Sequence, residues 1–480
     1  MADAYTTQTY GYANPSFSYE ETTQKSSKPP SNKNFAVLIL VVIGIILFIL
    51  LIFLLLGSNN SSNNSTPDSA NADPVVLQWW GVFVDEEVVN PLLDDYKSIK
   101  PNVTIEYVNK WPGGKFENAE QQYNSELNRV ISSGNSVEIP DMFMVHNSWA
   151  ADYVPYVRIS TTENLQTFQS KFYPAVVSDF APNGQVIGVP LWMDTFAIIY
   201  NKDLLQQSAI SAPPTGWAEF RNVAVNLTKK NGDIITQAGF AAGTSQNVSF
   251  PTQLLFTLFA QNGVEFTDVN GNATFSTDPD ALDAIIFYKS FTTNEFQTWS
   301  PNLDNDAKTF LEGKTAMIYA PSWRLRDILF YNKQYDLGLD IGISQVPQLQ
   351  GQDEPVINWT DYWGVVVSNS RPYSTVAWDF LSWMSEPQQL KKLSDNIKNF
   401  YGYDFGILYP RLDMSNELES DSYLKIYNES LPHAKTWRQV KGLQVKEIFK
   451  ELIDKNASSS AISSAENDVQ ILIDSAGELD

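Results

Sequence analysis

The chain has 480 residues, enough for two or three domains, and its 43% hydrophobic content excludes wholesale disorder. Its 32 Lys+Arg against 55 Asp+Glu give a net charge of −23, which makes nucleic acid and anionic headgroups poor partners. There is no Cys, so disulfides, thiol catalysis, thiolate metal sites and a cysteine-borne lipid anchor are excluded. Residues 1–34 are rich in Tyr, Thr, Ser, Gln and Pro and read as a disordered tail. Phe35 to Leu56 is an uncharged apolar run of 22 residues. At helical rise it spans about 33 Å, against a hydrocarbon core of roughly 30 Å. It is too long for a signal-peptide core, and the A-x-A-like site Ala70-Asn71-Ala72 lies far downstream. An uncleaved transmembrane helix is expected. Lys25, Lys28 and Lys33 precede it and the next cation is Lys97, so the N-terminus is placed in the cytoplasm and residues 57–480 outside the cell. Residues 57–74, GSNNSSNNSTPDSANADP, read as a flexible tether.

From Val75 the pattern turns globular. Val75–Trp80 reads as a strand. Val89, Leu92, Leu93 and Tyr96 give a helix, which Pro91 either opens, capped by Asn90, or kinks. Val103, Ile105 and Tyr107 alternate as a strand, Phe116 to Val130 carry one helical face ending near Gly134, and 140–145 form another strand. This β-α-β-α-β order predicts a parallel sheet covered by helices. The stretch 184–200, GQVIGVPLWMDTFAIIY, is too long for one buried strand and suits a segment that leaves one lobe for another. Helices follow from Pro213 through Trp217, Phe220, Ala224 and Leu227, at 281–291, at 377–384, and in the last 40 residues, where Val445, Ile448 and Leu452 share a face.

Five stretches then match, in order, those of one family: PDMFMVHNSWAADY (140–153), GQVIGVPLWMDTFAIIYNKDLL (184–205), PPTGWAEF (213–220), FLEGKTAMIYAPSWRL (310–325) and GVVVSNSRPYSTVAWDFLSWMSEPQQ (364–389). Over residues 75 to 480 the chain resembles the extracellular solute-binding proteins of ABC importers, carbohydrate-binding group. The resemblance implies an α/β, periplasmic-binding-protein-like fold with two lobes joined by a multi-strand hinge. Lobe 1 is expected at 75–188 and 318–358, and lobe 2 at 189–317 and 359–480. Crossovers are expected at Gly188–Tyr200, near Gly313–Tyr319 and near Trp359–Val366. The lobes would hinge shut on a ligand.

All 13 Trp lie beyond the apolar run. An indole covers the C–H face of a pyranose, while Asp, Asn, Gln and Arg bind its hydroxyl rim. Several Trp stand at strand ends, where ligands sit in open α/β sheets. The candidate ligand contacts are Trp80, Phe83, Asn147, Trp149, Trp192, Asp194, Asn247, Trp323, Arg324, Trp359, Asp361, Tyr362 and Trp363. Trp217, Trp378 and Trp383 fall on helical faces and are assigned to the core. By resemblance Trp323 is the stacking aromatic, and Asp194 is either an acidic sugar contact or the cap of a turn. Arg324 and Arg326 are simply solvated if exposed; in the cleft they would admit an anionic sugar.

Other motifs fail. Gly313-Lys314-Thr315 lacks the upstream Gly of a phosphate loop, which is Lys308 here. Asp268-x-Asn270-x-Asn272 lacks the Gly and Glu of a calcium loop. His146 and His433 are the only His, and no G-x-S-x-G occurs. No metal, cofactor or catalysis is expected. The resemblance implies a protein that passes carbohydrate to an ABC permease; a monomer is expected, attached to the membrane through the apolar run 35–56. A surface glycoside hydrolase or a ligand sensor using the same cleft is the alternative.

Overall fold

The computed structural model describes residues 73–111, 119–349 and 356–475. The expected tail, the transmembrane run 35–56 and the tether up to residue 72 lie outside the described residues, as does Phe116. Among the described residues no helix is long and apolar enough to cross a membrane.

Two five-stranded sheets organise the chain. The first opens as the sequence predicts. Val75–Gly81 (β1) pairs in parallel with Val103–Asn109 (β2) on one side and Met142–His146 (β3) on the other. The helix Glu86–Ile99 connects β1 to β2. Glu86 and Glu87 at its start and Lys97 in its last turn complement the helix dipole, and Val88, Val89, Leu92 and Tyr96 form its buried face. Pro91 sits inside this helix rather than at its first position. The sheet is completed, in the order β2-β1-β3-β11-β4, by Trp363–Val367 (β11) and Gly188–Pro190 (β4). β11 is antiparallel to both neighbours. Gly364, opposite Pro190, and Gly188, opposite Val366, are glycines there for a steric reason. A Cβ on Gly364 would stand 2.3 Å from the Phe180 ring, and one on Gly188 would stand 2.8 Å from the Val365 carbonyl.

The second sheet has the order β6-β7-β8-β5-β9, where Phe196–Asn201 is β5, Lys229–Asn231 β6, Ile234–Phe240 β7, Thr315–Pro321 β8 and Ile341–Ser344 β9. β5 and β8 pair antiparallel, with Ile198 opposite Tyr319. Both strands are buried throughout. Phe196, Ile198, Met317 and Tyr319 join one apolar cluster, while Ala197, Ile199, Ile318 and Ala320 join another. Both faces of these strands are covered, which is why they read as continuous apolar runs rather than alternating ones.

This pairing corrects the expected lobe boundaries. Residues 318–358 do not return to the first lobe: β8 and β9 flank β5 in the second sheet. Nor is 313–319 a crossover, since β8 lies wholly in that sheet. The chain recrosses between Asn358–Trp359 (β10) and β11, so β11 and the helices Ser374–Met384 and Pro387–Tyr401 belong with the first sheet. A further crossing, not anticipated, follows Ala434–Lys435 (β12), which pairs with β10. Beyond it the helices Gly442–Asp454 and Ser459–Asp474 pack into the second lobe's core.

Candidate ligand-binding cleft

The lobes meet where the chain passes between sheets, and the three passages are tied together. At the first, 191–195, Asp194 is buried and all its oxygen contacts are internal. The Ser322 N–H and hydroxyl donate to its carboxylate at 2.9 and 2.8 Å, the Trp323 N–H at 3.3 Å and the Thr195 N–H at 2.9 Å. Asp194 thus caps, from a distant part of the chain, the helix Ser322–Gln334, which lacks a cap of its own. Burial pushes its carboxyl up to about 7 against the pull of the Ser322, Trp323 and Thr195 donors. Its backbone carbonyl accepts from Thr360 Oγ1 at 2.6 Å in the second passage. The second and third passages are joined by the β10–β12 pair and by a buried network centred on Asp179. Asp179 Oδ2 accepts from Tyr362 Oη at 2.6 Å, Thr436 Oγ1 at 2.8 Å and Asn147 Nδ2 at 3.1 Å. Burial pushes this carboxyl up to about 7 as well.

Beside these passages lies a cleft of about 1080 Å³ lined by both lobes. On the first lobe an aromatic wall is built from Phe83, Trp111 and Trp363. The Phe83 ring lies 4.2 Å from Trp111 and 5.4 Å from Trp363, and Trp363 also meets His146 and Trp149 edge-on. Phe83 adopts φ 69°, a left-handed conformation that a bulky residue seldom takes and that concentrates at ligand-contacting positions. The second lobe presents Trp323 and Phe250, 5.6 Å apart and edge-to-face, with Phe256, Trp359 and Trp437 further along. Trp192 lines the cleft from the first passage and is half-buried.

Polar groups stand between the walls. Asp361 accepts from Gln253 Nε2 at 2.8 Å and from Trp359 Nε1 at 3.2 Å. Glu120, on the first-lobe helix Ala119–Ser132, faces Lys446 of the second-lobe helix Gly442–Asp454 at 3.5 Å across the cleft. Glu120 also accepts from Trp149 Nε1 at 3.2 Å. Burial raises the Glu120 carboxyl, but Lys446, His146 and the Trp149 hydrogen bond outweigh it and hold the group below its ordinary value. Glu120 in turn raises Lys446.

Ten of the thirteen sequence-predicted contacts line this cleft: Phe83, Asn147, Trp192, Asp194, Trp323, Arg324, Trp359, Asp361, Tyr362 and Trp363. Besides Asp361, held by Gln253 and Trp359, three of the ten are occupied internally. Asp194 is the helix cap described above. Asn147 and Tyr362 belong to the Asp179 network, and Asn147 Oδ1 also accepts the Tyr362 N–H at 3.1 Å. Trp80, Trp149 and Asn247 do not line the cleft. Trp80 is packed in the first core with the Lys110 ammonium 4.2 Å from its ring centre, and Trp149 is buried behind Trp363. Asn247 pins a loop by accepting from Trp299 Nε1 and Thr244 Oγ1 and donating to the Ser300 and Leu303 carbonyls. Of the three tryptophans assigned to the core, Trp217 and Trp378 are buried and Trp383 is half-buried against it. The lining residues that sequence reasoning missed include Trp111, Phe250, Trp437, Glu120 and Lys446. Trp111 stands two residues after β2 and, in the sequence, just before Pro112-Gly113-Gly114, the same strand-end signal that picked out other tryptophans. Trp437 and Lys446 carried no signal, because the third passage was not legible.

Residues 106–403, more than half of the chain, match the family described as bacterial extracellular solute-binding protein. The chain belongs to this family. The solute-binding protein is 23% identical over 389 residues to the maltotriose-binding protein of Pyrococcus abyssi, covering 75% of this chain and 72% of that one. It is 22% identical over 278 residues to a protein of Brucella abortus named only as a binding protein, covering 56% of this chain. It spans 64% of that relative's length, just under two thirds. Its fold is similar to the solved sugar-binding protein MalE of Xanthomonas citri, with a TM-score of 0.66, 16% identity, and 84% of this chain and 98% of the other covered. Both curated relatives are named as binding proteins rather than enzymes.

Proposed function

We propose that this chain is a membrane-tethered extracellular receptor that captures a carbohydrate in its interlobe cleft and delivers it to an ABC importer's permease, with no covalent chemistry. The observation that carries the reading is the cleft itself. Two aromatic walls on opposite lobes, Phe83–Trp111–Trp363 and Trp323–Phe250, enclose polar groups such as Gln253, Asp361 and Asn124. Flat apolar faces with hydrogen-bonding groups between them suit a pyranose, whose ring faces are C–H surfaces and whose rim is hydroxyl. The relatives' names point the same way. Raised carboxyls such as Asp194 and Asp179 occur in catalytic sites. Here Asp194 is spent on four internal donors and Asp179 on three, which removes the main support for hydrolysis.

Titrating the full-length protein in detergent with neutral and acidic oligosaccharides is expected to change tryptophan emission while the sugar is recovered intact. Release of reducing ends in step with binding would identify a hydrolase instead. The tether reading rests on the apolar run 35–56 and on the lysines before it. Protease added to intact cells is expected to release a fragment that begins within 57–74. Full protection of that segment would reverse the topology.

A further inference from the structure

We propose that Arg324 forms an anion-binding subsite of the cleft, so that the captured sugar carries a carboxylate, as an oligosaccharide containing uronic acid does. This rests on the carbohydrate reading above and names the class of sugar. Arg324 is only 3% exposed and lines the cleft one residue after Trp323. Its Nε has no hydrogen-bond partner, and among the described residues no acceptor is hydrogen-bonded to any part of its guanidinium. Its close neighbours are rings: Trp323 lies 5.0 Å and Phe250 5.9 Å from its central carbon.

Two other arginines of the fold, one buried and one half-buried, hold carboxylates with their forks, whereas Arg326, as buried as Arg324, donates to the Gly406 carbonyl at 3.3 Å. Arg411, equally buried, holds both oxygens of Asp413 at 2.8 and 2.7 Å, and Arg371 holds both of Asp141 at 3.1 and 3.2 Å. Two carboxylates influence Arg324 electrostatically, Asp327 and Asp306, but neither forms an ion pair with it. Asp306 is already engaged by the Ser249 N–H at 2.9 Å, the Ser249 hydroxyl and the Ala307 N–H at 2.7 Å. They temper the charge of the guanidinium without using its donors. A buried charge without hydrogen bonds is costly to keep unless something supplies them. The group that matches a planar guanidinium fork is a planar carboxylate, held by two parallel hydrogen bonds. A uronate brings that group on the same ring whose C–H face the neighbouring Trp323 can cover. A neutral hydroxyl would satisfy one donor and leave the rest of the fork without an acceptor.

The test is calorimetric titration of the full-length protein with trimers of galacturonate, glucuronate and mannuronate, each against its own carboxyl-reduced neutral counterpart. At least one acidic trimer is expected to bind about 10- to 100-fold more tightly than its reduced form, the range for a hydrogen bond to a charged group. Arg324→Gln is expected to erase that difference, and Arg324→Lys to retain part of it. The melting point of ligand-free Arg324→Gln is expected not to fall, because the charge it removes has no hydrogen-bonded partner; this keeps a folding defect separate from a binding one. Neutral trimers binding as well as their acidic forms would overturn the proposal while leaving the carbohydrate reading intact. A preference for acid that survives Arg324→Gln would also overturn it. If the folded protein binds no sugar of either kind, the carbohydrate reading fails and takes this inference with it.

Discussion

Replacing Asp194 with Ala is expected to lower the stability of the ligand-free protein by about 3 kcal/mol, the sum of a lost helix cap and several buried donors left without an acceptor. The donors concerned are the backbone N–H groups of Thr195, Ser322 and Trp323 and the Ser322 hydroxyl, all within 3.3 Å of the carboxylate. One side chain therefore anchors the first interlobe passage to the start of the helix that carries Trp323 and Arg324. Urea denaturation followed by circular dichroism measures the loss, and sugar affinity should fall with it because Trp323 is no longer held in place. A loss well under 1 kcal/mol would mean that water entering from the cleft replaces the carboxylate, and that Asp194 is free for a ligand after all.

Trp323→Ala separates binding from folding in the opposite sense. The indole is half-buried, lines the cleft and touches Phe250 at 5.6 Å and the Arg324 guanidinium. Removing it is expected to weaken sugar binding by about 1–3 kcal/mol, as truncation of an aromatic anchor does, and to leave the apo melting point nearly unchanged. Calorimetric titration and thermal unfolding of the same preparation test both halves. Unchanged affinity with a large drop in melting point would assign Trp323 to the lobe core.

The sequence revealed the fold best where periodicity was clean. The parallel β1-β2-β3 arrangement follows from alternation in Val103–Tyr107 and from helix spacing at Val89–Tyr96. It failed at the lobe boundaries. β8, TAMIYAP, is buried on both faces, so nothing in its residues says which sheet it joins; only the antiparallel register with Phe196–Tyr200 decides that. The third passage rests on the two-residue pair Asn358–Trp359 with Ala434–Lys435, too short to leave a pattern. For the cleft, strand-end tryptophans were a useful guide: Trp192, Trp323, Trp359 and Trp363 all line it. The polar assignments fared worse, because a side chain such as Asn147 or Asn247 shows in sequence that it can hydrogen-bond but not which partners are near. Arg324 is the converse. Its importance lies in the missing partner, which no sequence can display.

The three passages between the lobes are also fastened to one another, Thr195 to Thr360 by a bridge and β10 to β12 by another. A single strap lets two bodies twist as well as swing. Three cross-linked struts resist torsion and leave one soft direction, so in any hinge closure the facing ring systems would remain opposed. Jaws that closed in this way would act as a gauge: a molecule too long would prop them apart, one too short would leave a wall without contact, and size would be measured along with chemistry.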